Sequence, residues 1–360
     1  MNFRHYHLLT LIQEWGQFSS PLDVLMKKYF RLHKAIGSKD RAWISDTLYH
    51  YVRWKNLYDF LKLSPVEELP HHLPQQIPEF IRLACPEKLL ELLSKYYPNE
   101  AVTQFCQVNQ TRAPTTIRVN LLKTSRDELF QKLFSSYGYQ MHFTPHSPEG
   151  ITFSSKVNFA QLLEFQEGLF EVQDEASQMG AKLVKLKMKD KVLDYCAGSG
   201  GKSLAFAPLL KQSGQLYLHD IRPHALLEAR KRLKRAGIQN AQFNLPQQKK
   251  SMDYVVVDAP CSGTGTYRRN PDLKWKFPQI DLPTLIQEQR DIFENALSYL
   301  HPEGVIVYMT CSVLPQENVE QVQFFQEKYG LEQVDIFQTF PQDQGMDGFF
   351  AASLKKRAPN

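Results

Sequence analysis

The stretch that most restricts what this chain can become is Val255-Val256-Val257-Asp258-Ala259-Pro260-Cys261-Ser262-Gly263-Thr264-Gly265. Three consecutive valines leave no polar face, so they suit a strand covered on both sides, as in a parallel sheet. The strand ends in an acid, a Pro-Cys step and a glycine-rich loop. Ligands of α/β sheets bind outside the carboxyl ends of the strands, which puts Asp258 and Cys261 at the mouth of a cleft. Fifty residues after Cys261 the pattern returns in Gly304-Val305-Ile306-Val307-Tyr308-Met309-Thr310-Cys311-Ser312. Two thiols are therefore expected on two strand ends of one sheet.

Composition narrows the setting. The chain has 360 residues, room for two or three domains at roughly 100–200 residues each. A net charge of +5 admits an anionic partner without demanding one. No apolar run approaches the length of about 18 residues needed to span a bilayer, so no membrane partner is expected. Met1 to His7 lacks the apolar core of a secretion signal, and five widely spaced cysteines suit reduced cytosolic thiols better than a disulfide framework. A cytoplasmic monomer is expected. No cysteine pair has zinc-ligand spacing, so no metal is expected either.

Along the chain, residues 1–105 read as a helical domain, with Leu8, Leu11, Ile12, Leu25, Tyr29, Ile44, Leu48 and Val52 largely at three-to-four spacing. Residues 106–178 read as a small α/β module: Thr115 to Asn120 is strand-like, and Ser125 is a candidate helix cap. Residues 179–360 alternate strand and helix, which argues for a mostly parallel, doubly wound Rossmann-like sheet.

The first turn of that sheet is Asp194-Tyr195-Cys196-Ala197-Gly198-Ser199-Gly200-Gly201-Lys202-Ser203. Glycines here suit a backbone that approaches a ligand at a helix start. A P-loop fails because Cys196 stands where its first glycine belongs, and a dinucleotide fingerprint is weak because Ser203 takes its third glycine position. An S-adenosylmethionine site needs a glycine-rich first loop and an acid after the second strand for the ribose hydroxyls. Asp220 supplies that acid about 20 residues beyond the turn. Tight-turn packing alone would also account for the glycines.

Most buried cysteines are inert apolar groups, and Cys85, Cys106 and Cys196 fit that description. Cys261 and Cys311 differ in standing at strand ends beside small polar residues, where a cation such as Lys202 would lower a thiol pKa. A thiol, a carboxylate and a methyl donor together suit methylation at C5 of cytosine. Thiolate addition to C6 makes C5 nucleophilic, an acid near N3 stabilises the added ring, and loss of the C5 proton expels the thiolate.

These motifs, with Thr310-Cys311-Ser312-Val313-Leu314-Pro315-Gln316-Glu317-Asn318, Arg268 to Trp275, Val172 to Ser177 and Asp347-Gly348-Phe349-Phe350, resemble the Sun/RsmB-like family of RNA cytosine-C5 methyltransferases from about residue 113 to the end. The resemblance implies that Cys311 is the nucleophile and Cys261 the residue that promotes release, with Asp258 and Lys202 beside them. It implies S-adenosyl-L-methionine held by Cys196, Ala197, Gly198, Ser199, Gly200, Gly201, Lys202, Asp220 and Asp258. It also implies an RNA partner, most readily small-subunit rRNA, with tRNA or a non-catalytic assembly role as alternatives. The helical N-terminus resembles a shortened NusB-like RNA-binding domain, and the small module resembles the family's RNA-recognition-like insert. Two departures stand out. The first loop has Ala197-Gly198-Ser199 where the family has Ala-Ala-Pro. The family's acid after the third strand is missing, with Gln247, or else Asn244, expected in its place. Arg268 and Arg269, after the Cys261 loop, are expected to touch RNA phosphates. In the run Arg230, Lys231, Arg232, Lys234 and Arg235, a solvated helix face competes with that role.

Overall fold

The computed structural model describes residues 2–16, 20–74 and 76–357. The chain divides into two compact units, one of Met1–Arg112 with Thr266–Ile280, the other of Ala113–Gly265 with Asp281–Asn360.

The first unit is helical. Helices Phe3–Trp15, Leu22–Leu32 and Ser38–Arg53 turn their apolar faces inward, and Leu8, Leu11, Trp15, Leu22, Ile44, Leu48 and Val52 are buried together. The helix Asn99–Gln110 runs across residue 106, and the unit ends at Arg112. Residues 266–280, which follow the Cys261 loop in sequence, belong here. Trp275 packs against the helical core and donates its indole N–H to the Val52 carbonyl at 2.6 Å. Lys274 Nζ, buried, donates to the carbonyls of Arg53 and Ala84 at 2.6 and 2.7 Å. The Arg268 side chain is fully buried in the protein. The expected phosphate contact from Arg268 is therefore corrected: a side chain closed off from water cannot meet a nucleic-acid backbone at the surface.

The second unit holds two sheets. The smaller is antiparallel: β1 (Thr115–Val119), β2 (Met141–Phe143), β3 (Gly150–Phe153) and β4 (Phe170–Val172), in the order β2-β3-β1-β4. Its helix, Arg126–Tyr137, starts at a capping box in which Ser125 Oγ accepts the Glu128 N–H and Glu128 accepts the Ser125 N–H. That reciprocal pair satisfies two of the helix's otherwise orphaned donors. Helix and sheet enclose Ile117, Val119, Leu129, Leu133, Ile151 and Phe170.

The larger sheet comprises β5 (Lys191–Asp194), β6 (Gln215–Leu218), β7 (Ala241–Gln242), β8 (Met252–Asp258), β9 (Leu300–Thr310), β10 (Leu331–Thr339) and β11 (Phe349–Lys356), in the order β10-β11-β9-β8-β5-β6-β7. The five strands from β9 to β7 run parallel, and β11 and β10 add antiparallel. Val255, Val256 and Val257 have no exposure, as a strand sandwiched between two apolar layers requires. One layer gathers Val256, Leu204, Phe206 and Leu233; the other gathers Val255, Val257, Phe293 and Phe325. The helix after the glycine-rich turn is short: Ser203–Phe206 gives way to a 3-10 segment, Ala207–Leu210. Pro208 stands in that segment, where it has no N–H to continue an α-helical ladder.

Candidate active site

The parallel register brings four chain reversals to one sheet edge. Asp194 ends β5 level with Val256 and Leu218, and Asp258 ends β8 level with Met309. From β8 the chain passes through Ala259, whose N–H donates to the Met309 carbonyl at 2.9 Å. The Pro-Cys step then turns Cys261 toward the end of β9. Gly265 N–H donates to the Cys311 carbonyl at 2.9 Å, and Gly348 N–H donates to the Gly265 carbonyl at 2.9 Å. A side chain at Gly265 would stand 2.2 Å from the Gly348 carbonyl oxygen, so only glycine permits this approach.

The outcome is a direct meeting of the two sulfurs: Cys261 Sγ and Cys311 Sγ are 3.4 Å apart, both side chains partly exposed and neither in a disulfide. The hydrogen bond to Cys311 and burial push the Cys261 thiol well above the usual range, and the Glu317 charge adds to them. Lys202 does not act on it. Its ammonium instead lies 2.9 Å from Asp258 Oδ2 and 4.8 Å over the Phe349 ring. The expectation that Lys202 lowers this thiol is corrected, because the half-buried lysine is paired with a carboxylate instead.

The glycine-rich turn follows β5. Gly198 N–H donates to Asp220 Oδ2 at 2.8 Å, and Gly198 and Gly200 have φ of +52° and +81°. A Cβ at Gly200 would meet Leu233 Cδ1 at 2.9 Å, whereas one at Gly201 would meet nothing within 4 Å. The first position thus needs glycine for helix packing, and the second faces open space. Ser199 is held by Arg232, which donates to its hydroxyl at 2.7 Å. Arg118 and Gln173 of the small module both donate to the Gly201 carbonyl at 3.3 Å, a brace that sequence spacing could not reveal.

Asp220 already carries a partner: Arg222 Nε and NH2 donate to its two oxygens at 2.9 and 3.1 Å. These bonds and that of Gly198 hold its carboxyl below the ordinary range despite the opposing effect of burial. Asp194 goes the other way. Burial pushes it up to about 7, opposed by its hydrogen bond from Ser203 and reinforced by Asp258, and its Oδ1 is buried without a partner. Cys196 lies between them, its thiol pushed up by burial and then by Asp194, Asp258 and Asp220.

Gln247 is not brought to this edge. It lines a cavity of about 370 Å³ with Asn244, Tyr217 and the first residues of β5 and β8, Lys191 and Met252. No helix connects β7 to β8, so residues 243–251 return across the sheet toward the strand starts. Asn244, two residues beyond the end of β7, lines the same cavity. Of the basic run, Arg232 and Arg235 are engaged by buried Glu171, at 3.0 and 2.5 Å.

The residue that spacing did not single out is Glu317. It is completely buried, and its carboxyl accepts from the Ser262 N–H at 2.8 Å, the Gln289 amide at 3.0 Å and the hydroxyls of Ser262 and Ser312. Its place in Pro315-Gln316-Glu317-Asn318, just after the Cys311 loop, is the one signal the sequence offers.

A mainly parallel sheet with a glycine-rich first turn, an acid after the second strand and thiols at two further strand ends defines a Rossmann-like methyltransferase. Comparison with known proteins gives the family. Residues 181–355 match the family described as 16S rRNA methyltransferase RsmB/F, and residues 85–160 match its ferredoxin-like domain. Ribosomal RNA small subunit methyltransferase B of Photorhabdus laumondii is 34% identical over 76% of this chain and 66% of its own length. That of Proteus mirabilis is 31% identical over 77% of this chain and 67% of its own. The chain thus spans about two thirds of the length of these relatives, and it belongs to the RsmB/F family. The solved structure of PH0851 superposes with a TM-score of 0.85 at 20% identity, covering 99% of both chains. NSun6 from Pyrococcus horikoshii with SFG does so with 0.67 at 20% identity, over 76% of this chain and 99% of its own. These two show the shared fold.

The methyl donor of this family of methyltransferases is S-adenosyl-L-methionine. The turn fits such a group. Gly201 opens onto free space, Gly198 and Gly200 carry the backbone conformation of a close-approach loop, and Asp194 offers a buried acceptor with no partner. Among the described residues no three His, Cys, Asp or Glu side chains are grouped to hold a metal ion, and no helix is long and apolar enough to cross a membrane.

Proposed function

We propose that this chain forms 5-methylcytosine in RNA, with small-subunit rRNA as substrate, through covalent addition of Cys311 to the base. The single observation that supports this most is the 3.4 Å contact between Cys261 and Cys311 at the carboxyl edge of the sheet. Two thiols that close, both reachable and unbridged, suit one substrate ring and have no structural task to perform. The names of the relatives supply the RNA.

S-adenosyl-L-methionine, held by the Cys196–Gly201 turn with Asp220, supplies an electrophilic methyl group. The protein's own work begins at the base. Cys311 Sγ, as the thiolate after losing its proton to solvent, forms a bond to C6, the C5–C6 π electrons become available at C5, and Asp258, taking a proton from the Lys202 ammonium 2.9 Å away, passes one to N3 so that no negative charge builds there. Lys202 keeps Asp258 in place through its 2.9 Å ion pair. Once C5 carries the methyl group, solvent water takes its proton, which restores the C5–C6 double bond, breaks the C6–S bond and returns the Cys311 thiolate, while N3 gives its proton back to Asp258. Cys261, in contact with that sulfur, promotes this release. A cytosine reaches the pair only when unstacked, so the target is a loop or flipped nucleotide.

The test uses two variants on RNA. Cys311→Ala is expected to abolish methyl transfer and form no adduct, whereas Cys261→Ala is expected to accumulate a covalent protein–RNA species on a denaturing gel. Turnover by Cys311→Ala would overturn the assignment of the nucleophile. Bisulfite mapping in a deletion strain is expected to lose a methylated cytosine in 16S rRNA; loss in tRNA alone would overturn the substrate.

A further inference from the structure

We infer that Glu317 is a positioning residue, which fastens the two cysteine loops to each other through Ser262 and Ser312 and so holds both sulfurs over one ring. The inference rests on the two-thiol reading above and adds to it the group that makes the pair.

Ser262 and Ser312 are the residues immediately after Cys261 and Cys311. The loops they begin come from different strands and are 50 residues apart in sequence, so nothing local sets their distance. Glu317 bridges them. Oε1 takes the Ser262 N–H at 2.8 Å, and Oε2 takes both serine hydroxyls. The two hydroxyl oxygens are 3.3 Å from each other. Every one of these contacts donates to the carboxyl, the pattern an ionised acid accepts. Donors of this kind make a buried charge tolerable, and charge-assisted bonds are the strong ones.

The clamp is itself anchored. Gln289, on the helix Leu282–Leu297, donates to Glu317 Oε1 at 3.0 Å and to the Pro260 carbonyl at 3.0 Å, so it holds the residue before Cys261 as well. Tyr308 OH donates to the Glu317 carbonyl at 2.9 Å. Thr264 Oγ1 lies 3.0 Å from Ser312 Oγ and accepts the Val313 N–H at 2.9 Å, a second tie between the same loops. Glu317, Ser262, Ser312, Gln289, Tyr308 and Thr264 are buried, whereas Cys261 and Cys311 are half-buried.

The same carboxyl also acts by charge. The titratable groups facing Cys261 are Cys311 and Glu317, and both push its thiol upward, against the Gly263 N–H. Tyr308 of β9 interacts with Cys261 and Glu317, and Arg290 is the cation acting on Tyr308. Glu317 thus favours the protonated form of Cys261 beside Cys311.

The experiment uses the full chain without RNA or cofactor. Dibromobimane bridges two neighbouring thiols, and its rate with Cys261 and Cys311 is expected to fall about tenfold in Glu317→Gln, whose NH2 group cannot accept where one of the two carboxyl oxygens does. In a Cys311→Ser background, adding Glu317→Gln is expected to lower the pH midpoint of Cys261 alkylation by about one pH unit, which a purely structural role would not do. With RNA, kcat is expected to drop about 100-fold with less change in KM, and Glu317→Asp to recover part of it. Unchanged bridging together with an unchanged midpoint would overturn the inference. Should Glu317→Gln fail to fold, Ser262→Ala and Ser312→Ala each remove one tie and keep the carboxyl. Each is expected to slow bridging several-fold, as a lost positioning contact does, and normal bridging in both would overturn the inference. Neither thiol measurement depends on catalysis, so an inactive Cys311 assignment would leave these results standing.

Discussion

At the residue scale, the acids of the strand ends behave in opposite ways. Asp220 is held by Arg222 and Gly198, whereas Asp194 is buried with one unpartnered oxygen. Burial raises Asp194 to about 7. In the unfolded chain an aspartic acid titrates near 4. Between those values the folded protein holds a proton that the unfolded chain has released, so Asp194 makes stability fall as pH rises through about 4 to 7. Asp194→Asn is expected to flatten that part of the melting-temperature profile and to be more stable than the parent at pH 8 by about 2–4 kcal/mol. A profile still falling equally in the variant would place the effect elsewhere. The placing of Cys261 and Cys311 just beyond two strand ends was legible from their motifs, since each motif is a short contiguous run. The part taken by Glu317 was not: its partners Ser262 and Gln289 are 55 and 28 residues away, and only folding makes them neighbours.

At the element scale, the site depends on loops that pass at backbone distance. Gly265 and Gly348 are such a pair, one after β8 and the other before β11. Gly265→Ala is expected to cost about 2–4 kcal/mol in urea denaturation, because backbone rather than a flexible side chain would have to move. Methyl transfer is expected to drop with it, since the Gly265 N–H is bonded to the Cys311 carbonyl. Strand identity was readable from the valine runs and the alternation of strand with helix. The path from β7 to β8 was not. Gln247 and Asn244 look equivalent in a sequence, and only the course of residues 243–251 puts both in the cavity lined by the strand starts Lys191 and Met252. The run Arg230 to Arg235 likewise reads as uniform charge, yet Glu171 engages two of its members, Arg232 and Arg235.

At the scale of the whole molecule, the helical unit is discontinuous. Residues 266–280 leave the sheet unit after Gly265 and supply Asp272, Lys274 and Trp275 to the helices. Lys274→Met is expected to destabilise the helical unit by about 3 kcal/mol, taking a donor from the Arg53 carbonyl and leaving that of Ala84 only the Gln110 amide at 3.3 Å, as read by denaturant unfolding. A chain starting at Ala113 is expected to be cut by trypsin within residues 266–280, because the groups that tie down Lys274 and Trp275 are then gone; resistance there would show that the segment keeps its order without the helices.

The sequence by itself determined the sheet, the glycine turn and the two thiol-bearing strand ends, because buried runs, glycines and Pro-Cys steps impose their conformations locally. Only the tertiary structure decided that the sulfurs touch, that Glu317 ties their loops, that Lys202 serves Asp258 and that Arg268 is closed off from solvent. Each of these depends on distances between groups far apart in the chain, and such distances are set by packing alone.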